Sequence, residues 1–199
     1  MNAPATLTQL AGLSTLPSPL ASAALIIIDM QGEYREGALK LPGIDTATKE
    51  SMAVLALARK HGAPVFHVVH HSPPGAPIFN PDHPHSKELP ELAALPGETT
   101  IIKTLPDSFA KTDLHARLQA TGRKELILIG AMTHNCVAAT AHAAFDLGYR
   151  VTIVAEACAT RDLPDVYGNV VPADVLHRQT LVGLGDCIAV VVPNARAWA

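Results

Sequence analysis

The amino-acid sequence predicts an α/β fold, a three-layer αβα sandwich around a six-stranded, mainly parallel sheet. Three observations carry that expectation. Short apolar runs rich in β-branched residues recur along the chain, as in strands buried on both faces, and "AALIIID" (23–29) is the first. Segments of helical spacing lie between the runs, and such alternation builds a parallel sheet joined by right-handed crossovers. Of the 199 residues, 48% are hydrophobic but only 4% aromatic, which suits a sheet packed between helices and not a base-stacking surface.

Each element follows in order. Residues 1–20 carry Pro4, Pro17 and Pro19 and read as an N-terminal arm before a domain over 21–199. After the first strand, "DTATKESMAVLALARKHG" (45–62) takes helical spacing, with Met52, Leu55, Ala56 and Arg59 on its apolar side and Gly62 as a stop. Strands are expected at "APVFHVVH" (63–70), "TTIIKT" (99–104) and "ELILIG" (125–130), with a short helix at 113–122. "YRVTIVAEA" (149–157) and "GDCIAVVVP" (185–193) complete the six, separated by a helix over 172–185. Residues 71–98 hold seven prolines and no period, a loop longer than compact domains normally contain unless it is functional or disordered. The result is Rossmann-like, and ligands of such sheets bind beyond the carboxyl ends of the strands. Asp29, His70, Lys103 and the turn from Gly130 to Cys136 all fall there.

Charge narrows the partners. A formal net charge of −3 with scattered Lys and Arg gives no footprint for nucleic acid or anionic lipid, so a small-molecule substrate or a second copy of the chain is expected. The first basic residue is Arg35 and no apolar run approaches a membrane span, which reads as a cytoplasmic protein. Three widely spaced cysteines, Cys136, Cys158 and Cys187, without a C-x-x-C pair, indicate free thiols rather than a disulfide framework or a zinc knuckle.

Chemistry is sought at the strand ends. A cysteine attacks as its thiolate, and a helix N-terminus favours that anion; Cys136 sits near an expected helix start. Asp29 can serve as its base, Lys103 can hold the charges together, and N–H groups of the 131–136 turn can bind an oxyanion. Taken singly, each residue has a plainer reading: a packing cysteine, a helix-capping aspartate, a solvated lysine. Their placement on three different strand ends argues for a shared site. Cys158 and Cys187 have no base nearby in sequence and are expected to be buried packing residues.

Five motifs in order then resemble a known family. "IIIDMQ", "IIKTLPDSF", "GAMTHNCV", "DLGYRVTIVAEACATRD" and "VPADVLHRQTL" are similar to those of the isochorismatase-like cysteine hydrolases, which include nicotinamidases and N-carbamoylsarcosine amidases. The resemblance runs from about Ala24 to Pro193. It implies a triad of Asp29 as base, Lys103 as electrostatic partner and Cys136 as nucleophile. It also implies a cis peptide at Ala131–Met132 and an oxyanion hole from the N–H groups of Met132 and Cys136. The implied reaction is C–N hydrolysis of a small amide, carbamoyl or ureide compound through a thioester. Gln31 and Phe109 match family positions near the pocket, as orienter of Asp29 and pocket wall respectively. His70 and Thr133 are further candidates for substrate contact. His134 reads either as a substrate hydrogen bond or as a polar residue in a first helical turn.

No cofactor is expected. The Asp-x-His metal motif of the family's nicotinamidases is missing from "HVVHHSPPG", so no metal ligands are assigned, and His70, His71, His83 and His85 read as ordinary histidines. A metal-assisted nicotinamidase and a non-catalytic small-molecule-binding or receiver-like α/β module stand as alternatives. The family also implies a homo-oligomer, dimer or tetramer, with a neighbour's loop closing the pocket.

Overall fold

The alternating pattern folds into one sheet. In the computed structural model, which describes residues 4–199, β1 (Ala23–Ile28), β2 (Val65–His70), β3 (Thr99–Lys103), β4 (Glu125–Ala131), β5 (Arg150–Ala159) and β8 (Val190–Val192) lie in the order β3-β2-β1-β4-β5-β8. Every neighbouring pair is parallel. Strand β1 is central, and its six residues are all buried. Leu25 and Ile27 join one hydrophobic cluster and Ala24, Ile26 and Ile28 the other. A strand covered on both faces has no position for a polar side chain, and each large aliphatic contributes about 1.5–3 kcal/mol by its burial.

Helix α1 (Leu7–Leu10) lies in the arm, α2 (Ile44–Lys60) joins β1 to β2, α3 (Leu114–Ala120) joins β3 to β4, and α4 (Ala138–Asp146) joins β4 to β5. The buried face of α2 is rotated from the expected one. It comprises Ile44, Ala47, Thr48, Ser51, Val54, Leu55 and Ala58, whereas Met52 is 43% exposed. Two hydroxyls explain the difference: Thr48 donates to the Ile44 carbonyl (2.8 Å) and Ser51 to that of Ala157 (3.3 Å), so both are satisfied inside the core.

The last third departs further. A hairpin, β6 (Leu163–Pro164) and β7 (Val170–Val171), precedes α5 (Ala173–Cys187), which runs through Gly183 and Gly185 to leave β8 only three residues. Cys187 therefore ends a helix and is exposed, not buried at a strand start. Cys158 is buried within β5, which continues to Ala159 past a register shift against β4 between Leu128 and Gly130. Gly130 itself has φ +130°, and a Cβ there would lie 2.0 Å from the Ile28 carbonyl oxygen. The β1 and β4 backbones can approach this closely only because the residue has no side chain.

The arm and the proline-rich segment are both tied down. In the arm, the Leu7 N–H donates to Asp186 Oδ1 and the Ser18 N–H to Thr152 Oγ1, each 2.8 Å; residues 1–3 of the expected arm lie outside the described residues. Residues 71–98 form short 3-10 turns at Pro84–Ser86 and Pro90–Leu92 and are strapped to the sheet by His67. Its fully buried ring places Nδ1 2.8 Å from Glu88 and Nε2 3.0 Å from Glu98. Glu98 also receives both Arg59 donors, at 2.7 and 2.8 Å, and the Leu95 N–H at 2.8 Å.

Candidate active site

The strand order reverses between β1 and β4, the topological switch point at which open α/β sheets bind ligands. Asp29 leaves β1 there with φ +52°, a left-handed conformation costly for a non-glycine residue and concentrated at functional sites. Its N–H donates to the Val68 carbonyl (2.8 Å). Lys103, at the end of β3, reaches across β2, two strand spacings or about 9.5 Å, to place Nζ 2.8 Å from Asp29 Oδ2. Only a long side chain can span that gap. Nζ also donates to the Leu105 carbonyl (3.0 Å) and lies 3.3 Å from His70 Nδ1.

The third member arrives from β4. After the cis Ala131–Met132 peptide, Thr133–Val137 form a π-helical turn that runs into α4. Cys136 is the fourth residue of that turn, 5% exposed, with its thiol in the field of both Asp29 and Lys103. Among the described residues the Met132 N–H donates to no protein acceptor, whereas the Met132 carbonyl receives the Asn135 and Val137 N–H groups.

Electrostatics corrects one expectation. Burial, reinforced by the Asp29 charge, pushes the Cys136 thiol up to about 12 rather than down. A helix field fades within its first turn, and a thiol in apolar surroundings beside a carboxylate holds its proton. Burial likewise raises Asp29, to about 6, against the pull of the Lys103 charge. Neither Asp29 oxygen accepts a well-aligned hydrogen bond from a protein donor, because Lys103 approaches off-axis. The arrangement is a neutral thiol beside a base that ionises near neutrality.

Other expected site residues divide. Gln31 is a clamp and not an orienter of Asp29 or a substrate group. Its amide exchanges hydrogen bonds with the His70 backbone (N–H to Oε1 2.9 Å, Nε2 to carbonyl 3.0 Å) and donates to the Ser86 carbonyl, so no donor is left over. Phe109 is half-buried, stacking on Tyr149 at 6.0 Å and meeting His115 edge-on. Thr133 is fully buried, donating to the Ala159 carbonyl (3.2 Å) with His177 Nδ1 2.8 Å away, so its hydroxyl also serves the scaffold. His134 bonds Thr160 Oγ1 and is held neutral by burial and the Arg161 charge. His70 faces Lys103, and burial with that charge lowers it to about 4.

Three residues were not anticipated. Tyr34, 1% exposed, follows β1 and feels the charges of Asp29, Cys136 and Arg161; its offset of five from Asp29 was the available signal. Arg161 ends β5's continuation, and His177 comes from α5. A 390 Å³ cleft between the starts of α2 and α5, lined by Cys158, Thr160 and His177, adjoins the site through the His177–Thr133 contact but contains none of Asp29, Lys103 or Cys136. The buried acid, cation and thiol mark the chemistry better than cleft size does.

The four histidines read as unassigned do not converge. His83 and His85 stack on each other at 4.4 Å, with His85 3.9 Å from Glu36, while His70 faces the Lys103 ammonium, a poor neighbour for a cation. Among the described residues no group of three or more His, Cys, Asp or Glu is arranged to hold a metal ion.

A parallel sheet with a cysteine, an aspartate and a lysine gathered at its switch point defines an α/β protein equipped for nucleophilic chemistry. The isochorismatase domain family model matches residues 23–170, and the chain belongs to the isochorismatase family, hydrolases whose relatives include amidases. The crystal structure of an isochorismatase from Pseudomonas putida KT2440 superposes with a TM-score of 0.92 at 41% identity, covering 98% of this chain and 99% of that one. The secreted isochorismatase effector Isc1 of Verticillium dahliae is 39% identical over 71% of this chain and 75% of its own. Maleamate amidohydrolase of Pseudomonas putida is 30% identical over 74% of this chain and 82% of its own. Membership replaces the receiver-like alternative. No helix among the described residues is long and apolar enough to cross a membrane.

Proposed function

We propose that the protein is a cysteine amidohydrolase that cleaves a C–N bond of a small amide, carbamoyl or ureide substrate. The observation that carries this is the fully buried Asp29–Lys103 pair at 2.8 Å with the buried Cys136 thiol in the field of both. In this reading Asp29 takes the thiol proton as Sγ attacks the carbonyl carbon. The proton moves with the attack, because a free thiolate is disfavoured in this burial. The carbonyl oxygen becomes an oxyanion, received by the N–H groups of Met132 and Cys136. The C–N bond then breaks as Asp29 returns the proton to nitrogen, which leaves as ammonia or an amine. Water, deprotonated by Asp29, hydrolyses the thioester and restores the thiol. Lys103 stays charged throughout and steadies whichever partner carries the anion.

The test is ammonia release from a panel of small amides and ureides by wild type and by Cys136→Ala. Loss of at least about 10⁴-fold in kcat, with an unchanged far-UV CD spectrum, is expected; full activity in the variant overturns the reading. Cytoplasmic location and self-association belong to the same proposal. Light scattering of the purified chain tests association, which the exposed Val166 and Tyr167 of the β6–β7 hairpin tip support.

A further inference from the structure

His177 reaches the turn that carries Cys136 from outside the sheet. It projects from the first turns of α5 and sets its Nδ1 2.8 Å from the Oγ1 of Thr133, the residue that follows Met132. That hydroxyl is fully buried and also donates to the Ala159 carbonyl at 3.2 Å. Ala159 is at the same time the register partner of Ala131, so the residues on both sides of Met132 are tied to one residue of β5. Between the two ties lies the Met132 N–H, which donates to no protein acceptor among the described residues.

Proton counting fixes the direction of each bond. A carbonyl oxygen only accepts, so the single Thr133 proton goes to Ala159 and Oγ1 must accept from His177 Nδ1–H. Burial lowers the pKa of His177 below the ordinary 6.5, so near neutrality the ring carries one proton, and that proton sits on Nδ1. Without this donor the buried Thr133 oxygen has an unmatched lone pair and less reason to keep its rotamer. The chain from Nδ1–H through Oγ1–H to the carbonyl also strengthens each of its links.

We propose that His177 is a positioning residue for the oxyanion hole: by locking Thr133 onto Ala159 it holds the Met132 N–H in the direction from which it receives the developing oxyanion. This rests on the amidohydrolase reading, which puts that oxyanion at Met132 and Cys136. His177 touches no reacting atom, so its removal should hinder formation of the oxyanion and leave the thiol itself unchanged.

Two reactions of Cys136 separate these effects. With butyraldehyde, Sγ bonds to the carbonyl carbon, the thiol proton passes to Asp29, and the carbonyl oxygen becomes an oxyanion that needs the hole. Methyl methanethiosulfonate forms a disulfide with Sγ, releases methanesulfinate and involves no carbonyl. In wild type, butyraldehyde should protect Cys136 from the thiosulfonate. In His177→Leu the half-protecting concentration should rise by at least about 10-fold, while thiosulfonate modification without aldehyde stays within about twofold of wild type. His177→Asn, whose side-chain amide can donate from nearly the same position, should restore most of the protection. On the amide that wild type hydrolyses fastest, the loss in His177→Leu should fall on kcat rather than on KM. Equal half-protecting concentrations in wild type and His177→Leu overturn the proposal. So does a parallel fall of protection and modification without rescue by Asn, the pattern of a side chain that only supports the fold. Absence of protection in wild type would instead remove the oxyanion hole, and with it both the amidohydrolase reading and the role of His177.

Discussion

Two buried groups of charges, one within β2 and one at the strands' carboxyl ends, are built to opposite ends. Around His67, acids and bases are fully matched: both ring nitrogens face carboxylates, and Glu98 gathers two Arg59 donors and a backbone N–H besides. Around Asp29 the matching is left incomplete, with neither carboxylate oxygen accepting a well-aligned bond. A satisfied network of this kind rigidifies, whereas an unsatisfied buried acid is costly and is retained where its reactivity is used. The difference shows in proton affinity. Hydrogen bonds from Arg59 outweigh burial and pull Glu98 down to about 2, while burial wins at Asp29 and lifts it to about 6. One group holds the proline-rich segment; the other keeps an acid that gives up its proton at about pH 6.

The comparison can be broken at several points. Asp29→Asn should cost the largest amount, about 10³-fold or more in kcat, with a lowered melting temperature because the buried Lys103 ammonium loses its carboxylate; kcat within about 10-fold of wild type would remove Asp29 as the base. Next, His67→Ala should destabilise by about 3 kcal/mol, since two carboxylates lose their shared cation in the interior. Urea unfolding reads this, and limited proteolysis should reach residues 71–98 first. Third, alkylation of Cys136 by iodoacetamide should rise through about pH 6 as Asp29 ionises and then stay flat to pH 9. A unit slope from pH 7 to pH 9 would mean that the thiol titrates alone.

The smallest effect is the pH dependence of folding through His67. Burial opposes its charge, but hydrogen bonds to Glu88 and Glu98 prevail and raise its pKa above the ordinary 6.5. The folded state therefore binds the proton more tightly than the unfolded one. That contribution is complete below pH 6.5 and is lost as pH rises through the raised value. Melting temperature should decline over that range in wild type by a few degrees more than in His67→Phe, measured by calorimetry. Equal slopes in the two proteins would remove His67 from the account.

The fold was legible because each strand is built on a short apolar core of residues, and Asp29, Lys103 and Cys136 were legible because each lies at or just past a strand's carboxyl end. Such positions depend on local pattern and topology alone. What side chains do there depends on partners remote in sequence, and that part was hidden. Gln31 looked like a site residue but grips the backbone of His70 and Ser86. Thr48 and Ser51 broke the apolar pattern of α2 while lying on its buried face. Tyr34 is brought into the field of Asp29 and Cys136 by a segment beyond β1, and Arg161 into that of His134 by one beyond β5, and no periodicity fixes either conformation. The matched network of His67 needed Arg59 from α2 and Glu98 from just before β3, residues 39 apart in sequence.

Gly130 bears on how this protein can be read by mutagenesis. A Cβ there meets the Ile28 carbonyl oxygen at 2.0 Å, one residue before Asp29, so the separation of base and nucleophile is fixed by main chain against main chain. In a saturation library Gly130 should tolerate as few replacements as Cys136, although it has no functional group to lose. A map of mutational intolerance would merge the two, and only a separate measure of folded abundance would tell the residue that reacts from the residue that sets the spacing.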